Sequence, residues 1–314
     1  MIDSLFRQVY NRTWIHRKVI DEVGSQSLRE AYRHCRAITR FHARTFYLSS
    51  RLLPRNKQRA IFAIYGLCRY LDDLVDEAMD LMQMQKIGME EVEQRLGQFR
   101  RDLIHAYGSG EGRDLILTAF ADTLRQFHIS IRLPLELLEG VKLDLVKSRY
   151  RNFEELYNYS WKVASVVGLM TSEVFGYQDK RALKHAADLG IAMQLTNILR
   201  DVGEDLEKDR IYLPLDELEL FGVTEQQLFE GHIDKNFVQL MRLQILRARQ
   251  YYESADVGIA YLNPDSRLPV RLARENYSRI LNKIEENGYR VFDRRAYLNR
   301  REKLLMVPKL LISR

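Results

Sequence analysis

The spacing of the apolar residues is the feature that most restricts the fold of this chain. Along most of its 314 residues, apolar side chains recur every three or four positions, and runs that alternate apolar with polar residues are nearly absent. The first pattern is typical of helices that bury one face, whereas the second would indicate strands. Only six prolines occur, and most stand where the pattern predicts that a helix begins or ends. The sequence therefore predicts an all-α fold.

The same pattern, together with Pro and Gly positions, predicts where the helices lie. We expect a loop near residues 80–88 and a short helix after Thr224, and Asp179 is expected to cap the helix that follows it. No linker or low-complexity tract interrupts the pattern, so we expect one helical domain over residues 25–314, preceded by a polar leader over residues 1–24. The longer helices are expected at residues 27–46, 54–79, 89–107, 112–129, 134–147, 153–175, 234–262 and 266–287.

Several classes of protein are disfavoured by composition. No run of 18 apolar residues is present, which argues against a membrane-spanning helix, and the N-terminus has no apolar segment of the kind found in signal peptides. The two cysteines, Cys35 and Cys68, stand far apart, and the seven histidines show no zinc-binding spacing. We therefore expect a reduced, cytoplasmic location and no zinc.

The net charge of +6 leaves several anionic partners open. A basic chain can bind nucleic acid, an anionic membrane or a small anionic substrate. No zinc-finger spacing, basic heptads or RNA-binding aromatic strand is present, so we do not expect nucleic acid as a partner. An anionic small molecule or a membrane surface remains.

The most informative polar pattern is an acidic stripe near the middle of the chain. In a helix, Asn197, Asp201 and Asp205 would lie on one face, about 6 Å apart per step. Like charges at this spacing destabilise a helix, so a bound cation would offset the repulsion. Amide and carboxylate oxygens are suited to Mg²⁺, which usually binds through few carboxylates plus the phosphates of a substrate.

Another acidic stripe lies upstream and is called the first stripe, and the stripe of Asn197, Asp201 and Asp205 is called the second stripe. Tyr65, Arg69, Asp72 and Asp76 follow at steps of four, three and four, so they would also share a helical face. Each stripe has an arginine beside it, Arg69 in the first and Arg200 in the second. We expect the two helices to face each other across a cavity, with metal ions between the stripes and a diphosphate bridging metals and arginines.

The motifs around these stripes resemble those of the squalene/phytoene synthase family. The segments 68–76 and 197–205 resemble its two aspartate-rich motifs, and further similarity is found at segments 44–48, 53–54, 60–65, 209–214 and 286–296. The match covers about residues 28–296, in order and with compatible spacing. Within the family, the chain is most similar to the bacterial phytoene synthases and the dehydrosqualene synthases.

The resemblance implies an all-α isoprenoid synthase fold in which helices surround a central cavity. It also implies a reaction in which two prenyl diphosphates are joined head to head, through a cyclopropylcarbinyl diphosphate, to give a hydrocarbon of the carotenoid pathway. Mg²⁺, with Mn²⁺ as a substitute, would assist departure of diphosphate. A dry apolar cavity would protect the cation from water. Two geranylgeranyl diphosphates would give phytoene, and no NADPH would be required.

The family's functional residues can be carried over to matching positions. The resemblance assigns the metal to the acidic and amide side chains of the two stripes, and Tyr159 to the cavity. It assigns the diphosphates to hydroxyl, amide and guanidinium groups along the chain. The metal-binding set is Asp72, Asp76, Asn197, Asp201 and Asp205; the catalytic set is Asp72, Asp76, Asp201, Asp205 and Tyr159; the substrate-binding set is Thr45, Tyr65, Arg69, Gln194, Asn197, Arg200, Tyr277 and Arg294.

One departure from the family's pattern concerns the length of the substrate. Ser165 replaces a glycine that the family often has in this segment, and its extra bulk near the cavity wall would favour a shorter substrate. Dehydrosqualene or squalene synthesis from farnesyl diphosphate is therefore the alternative, with squalene requiring NADPH. A terpene cyclase, or an assembly factor that has lost the chemistry, are further alternatives; the assembly factor is disfavoured because both stripes are complete.

The C-terminal segment adds an expectation about membranes. Residues 300–314 mix cations with apolar side chains, which is typical either of a closing helix or of a basic segment that lies on a membrane surface. A hydrocarbon product must reach a bilayer, so peripheral membrane association is a further expectation. The oligomeric state is left open.

Overall fold

A computed structural model describes residues 19–299 and Glu302 of the chain. Residues 1–18 of the expected leader, and the basic C-terminal segment apart from Glu302, lie outside the described residues. The described part divides into two compact units, with the boundary between Ile131 and Arg132. The part of the chain up to Ile131 is called unit 1 below, and the part from Arg132 is called unit 2.

Unit 1 is built around one long helix that carries the upstream acidic stripe. This helix, α3, packs against α1 and α5, and α4 packs against α5. Its buried face includes Phe62, Leu67 and Leu71, which alternate with the polar face at helical spacing. The helices of unit 1 are α1 (Gln26–His42), α2 (Arg44–Ser50), α3 (Arg55–Gln83), α4 (Met89–Ser109) and α5 (Leu115–Gln126).

Unit 2 is organised around the helix that leads into the second stripe. This helix, α9, packs against α8, α13 and α14 and against a π-helical segment. The helices of unit 2 are α6 (Arg132–Lys142), a 3₁₀ turn (Leu143–Leu145), α7 (Phe153–Ser160), the π-helical segment (Trp161–Ser165), α8 (Val166–Phe175), α9 (Arg181–Arg200), α10 (Val202–Glu207), α11 (Leu215–Phe221), α12 (Glu225–Phe229), α13 (Lys235–Ile259) and α14 (Pro264–Glu286).

Several helix ends follow from local side-chain chemistry. The Asp114 carboxylate accepts from Leu117 N at 2.8 Å, and Asp234 accepts from Phe237 N at 2.8 Å, so each satisfies a backbone N–H that the first turn leaves unpaired. Thr224 does the same for Gln227 N at 3.1 Å, and the short helix that the sequence predicted after Thr224 is confirmed. The Asp179 carboxylate accepts from Arg181 N at 2.8 Å, but the residue at the N-cap position of α9 is Lys180, which forms no side-chain cap, so the expected cap was placed one residue too early.

The all-α prediction is confirmed, because the described residues contain helices and isolated bridges but no strand. None of the described helices combines the length and the apolarity that crossing a membrane requires. Some predicted boundaries were wrong. The first predicted helix breaks at Ala43 into α1 and α2, and α3 continues to Gln83 into the expected loop.

The helix predicted over residues 153–175 contains a π-helical turn in its middle. Close packing surrounds this turn. A Cβ atom on Gly190 of α9 would lie 2.6 Å from Ser165 Cα, and one on Gly140 of α6 would lie 2.7 Å from Lys162 Cβ. Glycine is therefore needed on both neighbouring helices, because real Cβ contacts do not approach so closely. The π turn packs directly against the backbones of α6 and α9.

Ser165 lies within this packed region, which corrects the expectation about substrate length. Its side chain is fully buried, and its hydroxyl donates to the Ala187 carbonyl oxygen of α9 at 2.8 Å. A side chain with no exposed surface does not line an open cavity. Ser165 therefore stabilises contact between two helices, and its bulk gives no reason to expect a shorter substrate.

Candidate active site

The downstream stripe spans a junction between two helices. Asn197 belongs to α9, Asp201 stands at the junction, and Asp205 belongs to the short helix α10. The helical hydrogen bonds continue through the junction, since Asp201 N donates to Asn197 O at 2.9 Å and Asp205 N donates to Asp201 O at 2.9 Å. The regular spacing that the sequence predicted is thus kept, although two helices share it.

Asp201 is held by two arginines. Arg200 donates from Nε to Asp201 Oδ1 at 2.7 Å and from Nη2 to Oδ2 at 2.5 Å. Arg295 lies with Nε 2.9 Å from Oδ1 and donates from Nη2 to Oδ2 at 3.1 Å. A third contact joins Arg295 Nη1 to Glu204 Oε1 at 3.1 Å. Arg295 was not among the predicted site residues; its neighbour Arg294 was.

Asp205 lies in a different electrostatic environment. Burial and the nearby charge of Asp201 raise the pKa of the Asp205 carboxyl to about 7, while the positive charges of Arg210 and Lys208 oppose the shift. Burial disfavours an ionised carboxyl, and a second carboxylate nearby adds repulsion. A cation between Asp201 and Asp205 would relieve both effects.

The side-chain oxygen of Asn197 gives an independent indication of a missing partner. Asn197 Oδ1 is buried and accepts no hydrogen bond from any residue that the structure describes. A buried polar atom without a partner is costly and needs an explanation. Coordination of a metal ion would give this oxygen a partner. Asn197 is one of the positions that the family resemblance assigned to metal. The donor set of this stripe therefore fits Mg²⁺.

No group of three or more histidine, cysteine or acidic side chains within the described ranges is close enough to hold a metal alone. Mg²⁺ usually keeps several waters and binds through one or two carboxylates plus substrate phosphates. The second stripe supplies two carboxylates and one amide oxygen.

A buried cluster of tyrosines adjoins the second stripe, and the sequence predicted only one of its members as functional. Tyr159 Oη donates to Asp144 Oδ2 at 3.2 Å, and Tyr212 Oη donates to Asp144 Oδ1 at 3.0 Å. The rings of Tyr159 and Tyr212 stack with their centroids 5.3 Å apart, and Tyr150 packs against both. Burial, Tyr212 and the charge of Asp144 raise the pKa of Tyr159 well above its ordinary value. Tyr159 is therefore a neutral hydroxyl with a fixed orientation.

Arg210 connects this cluster with the second stripe. Its side chain is buried, with only 8% of the residue exposed, and its Nη2 donates to the main-chain oxygen of Asp144 at 3.2 Å. Its charge opposes the raised pKa of Asp205. Sequence reasoning noted Arg210 and Tyr212 only as part of segment 209–214, and Asp144 carried no signal because it belongs to no repeated pattern.

The upstream stripe lies on α3 in unit 1. Asp76 is half-buried, whereas Asp72 and Asp73 are exposed. Arg69 pairs with Asp73, which is not a member of the stripe. The ring of Tyr65 packs against the ring of Phe46, with the centroids 5.8 Å apart. Phe46 directly follows Thr45 in the first turn of α2. All predicted site residues of unit 1 thus belong to α2 and α3.

The remaining predicted residues lie in unit 2. Gln194 is half-buried on α9, three positions before Asn197. Tyr277 is half-buried on α14 and lies close enough to Arg200 to contribute to the raised pKa of the Arg200 guanidinium. Arg294 is exposed and makes no ion pair within the described part of the chain. Arg200 therefore contacts Asp201 of the second stripe and lies near Tyr277.

Comparison with known proteins identifies the family. Residues 39–302 match the family model for squalene/phytoene synthase. The 15-cis-phytoene synthase of Synechocystis sp. is 42% identical over 294 residues, covering 90% of this chain and 85% of that protein. Phytoene synthase 2, chloroplastic, of Oryza sativa subsp. japonica is 42% identical over 287 residues, covering 90% of this chain and 70% of that protein. The chain belongs to the squalene/phytoene synthase family.

Solved structures of the family support the same fold. A dehydrosqualene synthase crystallised with a ligand has a TM-score of 0.82 and 26% identity, covering 91% of this chain and 97% of that chain. A squalene synthase from Alicyclobacillus acidocaldarius has a TM-score of 0.76 and 25% identity, covering 86% of this chain and 98% of that chain. As a member of this family, the chain is a prenyltransferase with an isoprenoid synthase fold.

Proposed function

We propose that this enzyme joins two molecules of geranylgeranyl diphosphate head to head to form 15-cis-phytoene in carotenoid biosynthesis. The observation that carries the proposal is the 42% identity, over 90% of this chain, to a protein named 15-cis-phytoene synthase. The helical hydrogen bonding that keeps Asn197, Asp201 and Asp205 at regular spacing supports the proposal.

The carboxylates of the two stripes are the proposed ligands for Mg²⁺. Asp72 and Asp76 would contribute from α3, and Asn197, Asp201 and Asp205 would contribute from the second stripe. When bound, Mg²⁺ supplies positive charge that assists departure of the diphosphate. The unpartnered Asn197 Oδ1 and the raised pKa of Asp205 support this role for the second stripe.

Arginine and tyrosine side chains provide the rest of the proposed chemistry. Arg200 and Arg69 present guanidinium groups that stabilise negative charge on the departing diphosphate. Tyr159 keeps a neutral hydroxyl because burial raises its pKa, and Asp144 fixes its orientation by accepting its hydrogen bond. A fixed neutral dipole can face a carbocation without supplying a nucleophilic anion that would capture it.

The final cation is proposed to lose a proton rather than accept a hydride, so no NADPH is consumed. The test incubates the enzyme with geranylgeranyl or farnesyl diphosphate, with and without NADPH, in Mg²⁺, Mn²⁺ or EDTA. Hydrocarbons are identified by mass spectrometry. We expect phytoene from the C20 substrate without NADPH and none in EDTA. Squalene formed only when NADPH is added would contradict the proposal.

Dehydrosqualene synthesis from farnesyl diphosphate is a second candidate, because a dehydrosqualene synthase is among the similar solved structures. The buried position of Ser165 removes the sequence-based reason for preferring the shorter substrate. The same assay separates the two candidates. A strong preference for the C15 substrate in the absence of NADPH would assign the enzyme to dehydrosqualene.

Delivery of a hydrocarbon product requires an apolar phase, and we propose peripheral association with an anionic bilayer from the cytoplasmic side. The net charge of +6 supports this association. Sedimentation with vesicles tests it. We expect binding to vesicles that contain an anionic phospholipid, weakened by salt, and equal binding to purely zwitterionic vesicles would contradict the electrostatic contribution.

A further inference from the structure

The Asp201 carboxylate, which is a proposed metal ligand, is saturated by hydrogen bonds from two arginines. Each of its two oxygens faces one nitrogen of Arg200 and one of Arg295, at distances between 2.5 and 3.1 Å. The side chain of Asp201 is only 16% exposed, so its remaining surface is small. We call Arg200, Arg295 and Asp201 the Asp201 ion-pair cluster.

The main chain fixes the position of Arg295. Gly203 N donates to Val291 O at 3.1 Å, and a Cβ atom on residue 203 would lie 2.3 Å from Phe292 O. This close approach requires glycine in α10. On both sides of Arg295, the buried residues Val291, Ala296 and Leu298 hold the segment in place. The contact with Asp201 therefore belongs to a segment that is packed against the second stripe.

The side chains of the two arginines differ in how freely they can move. The side chain of Arg200 is only 16% exposed, and Arg200 directly precedes Asp201 in the chain. The side chain of Arg295 is 49% exposed and also contacts Glu204, so it can move into solvent or toward an anion without disturbing the core. If one guanidinium leaves Asp201 when the site fills, Arg295 is the one whose departure needs the smaller rearrangement.

We propose that Arg295 competes with the metal ion for Asp201 and transfers to the diphosphate when substrate binds. A divalent cation needs the oxygen lone pairs that the guanidinium groups occupy, and their positive charge repels it. A diphosphate can accept two parallel hydrogen bonds from one guanidinium group, as the carboxylate of Asp201 does. Metal alone would bind weakly, and diphosphate would strengthen its binding by providing an alternative partner for Arg295.

This exchange of partners by Arg295 couples metal binding to diphosphate binding. Binding of metal and binding of diphosphate reinforce each other, and by thermodynamic linkage the effect is reciprocal. The inference rests on the proposed role of Asp201 as a metal ligand. It adds that Arg295 is a positioning residue, because it acts on metal binding through Asp201 and through the diphosphate.

Binding of Mn²⁺ to the substrate-free enzyme, followed by electron paramagnetic resonance of the free ion, tests the proposal without relying on activity. We expect Arg295→Gln to bind Mn²⁺ about fivefold more tightly or better, within the usual range of coupling between sites. Arg295→Lys keeps the charge but cannot form the two-point contact, and an intermediate affinity is expected. Arg290→Gln is the matched control, because Arg290 lies on the same segment and pairs with Asp293 instead.

A second measurement examines transfer to the diphosphate. At saturating Mg²⁺, Arg295→Gln should raise KM for the prenyl diphosphate several-fold and leave kcat less affected, whereas Arg290→Gln should change neither. Unchanged or weaker Mn²⁺ binding by Arg295→Gln would overturn the proposal, as would an unchanged KM. Asp201→Asn separates a failure of the proposed metal ligand from a failure of the proposed role of Arg295. If that variant binds Mn²⁺ as the parent does, the assignment of Asp201 itself is wrong; if it binds weakly while Arg295→Gln is unchanged, only the role of Arg295 fails.

Discussion

Among single residues, Asp205 carries a carboxylate that the metal-free fold stabilises poorly. Burial and the charge of Asp201 raise its folded pKa to about 7, from the ordinary 3.8. Between these values the folded protein keeps a proton that the unfolded chain releases. The free energy of unfolding therefore falls as pH rises from about 4 to about 7, by at most about 1.4 kcal/mol per pH unit.

Asp205→Asn should remove this pH dependence. An amide has no charge at any of these pH values, so in EDTA we expect the variant to melt at a higher temperature than the parent at pH 8. Near pH 5, where the parent's carboxyl is protonated, the difference should be small. Thermal denaturation across this range is the measurement, and Glu207→Gln, on the exposed side of the same helix, is the control. Parallel stability curves for parent and Asp205→Asn would contradict the assigned pKa.

Spacing predicted the acidic stripes but could not predict their partners. Asn197, Asp201 and Asp205 recur every four residues, and such a pattern is visible in sequence because helix geometry relates near neighbours. Arg295 and Asp144 reach the site through tertiary contacts, over separations that no local period encodes. The family resemblance assigned Arg294 rather than Arg295 to the diphosphates, and no pattern in the sequence assigned Asp144, which accepts hydrogen bonds from Tyr159 and Tyr212.

At the level of secondary structure, the sequence predicted most helices and missed the irregular turns. Apolar periodicity, together with caps such as Thr224, located α13 and α14 and the start of α12. The π turn at Trp161–Ser165 was not predicted, because it changes backbone hydrogen bonding without interrupting the apolar character of the segment. Such turns often occur at functional sites, and this one directly follows the helix that carries Tyr159.

Packing around the π turn leads to a prediction about Gly190. A Cβ atom there would lie 2.6 Å from Ser165 Cα and 2.7 Å from the Ala164 carbonyl group, so Gly190→Ala must push α9 away from the π turn. Overpacking of this kind typically costs about 1–3 kcal/mol. We expect a lower melting temperature and, because α9 leads into the second stripe, reduced activity.

Gly97→Ala provides the matched comparison for this packing argument. Gly97 also lies within a helix, but a Cβ atom there would meet only Arg101 Nη1, at an ordinary 3.5 Å. Alanine is the better helix former, so this variant should be stabilised by up to about 1 kcal/mol. Opposite shifts of the two melting temperatures are expected. A Gly190→Ala variant as stable as the parent would show that α9 has room that the structure does not indicate.

For the whole molecule, the family was predicted correctly from motifs distributed over most of the chain. The family model matches residues 39–302, close to the 28–296 range over which the motifs were recognised. The structure also divides into two compact units at Ile131, where neither a linker nor a change in composition marks a boundary in the sequence. Periodicity reports local burial and says little about how helices group into units.

The division has a functional consequence, because each unit carries one acidic stripe. If both stripes serve one reaction, neutralising either should be enough to abolish it. We expect Asp76→Asn in unit 1 and Asp201→Asn in unit 2 each to lower kcat by two orders of magnitude or more, since removing one group that stabilises transition-state charge costs on the order of 3 kcal/mol. Asp80→Asn, one turn further along α3 and exposed, should leave turnover unchanged.

Two measurements make this prediction decisive. Melting temperatures establish that the variants are folded, which matters for Asp201→Asn because it also weakens the pairs with Arg200 and Arg295. Turnover at saturating Mg²⁺ then reports the chemistry. Because residues that act together are not additive, the double variant should lose little more activity than either single variant. Near-parental turnover by either single variant would show that its stripe is not part of the reaction, and a double variant whose losses multiply would show that the stripes act independently.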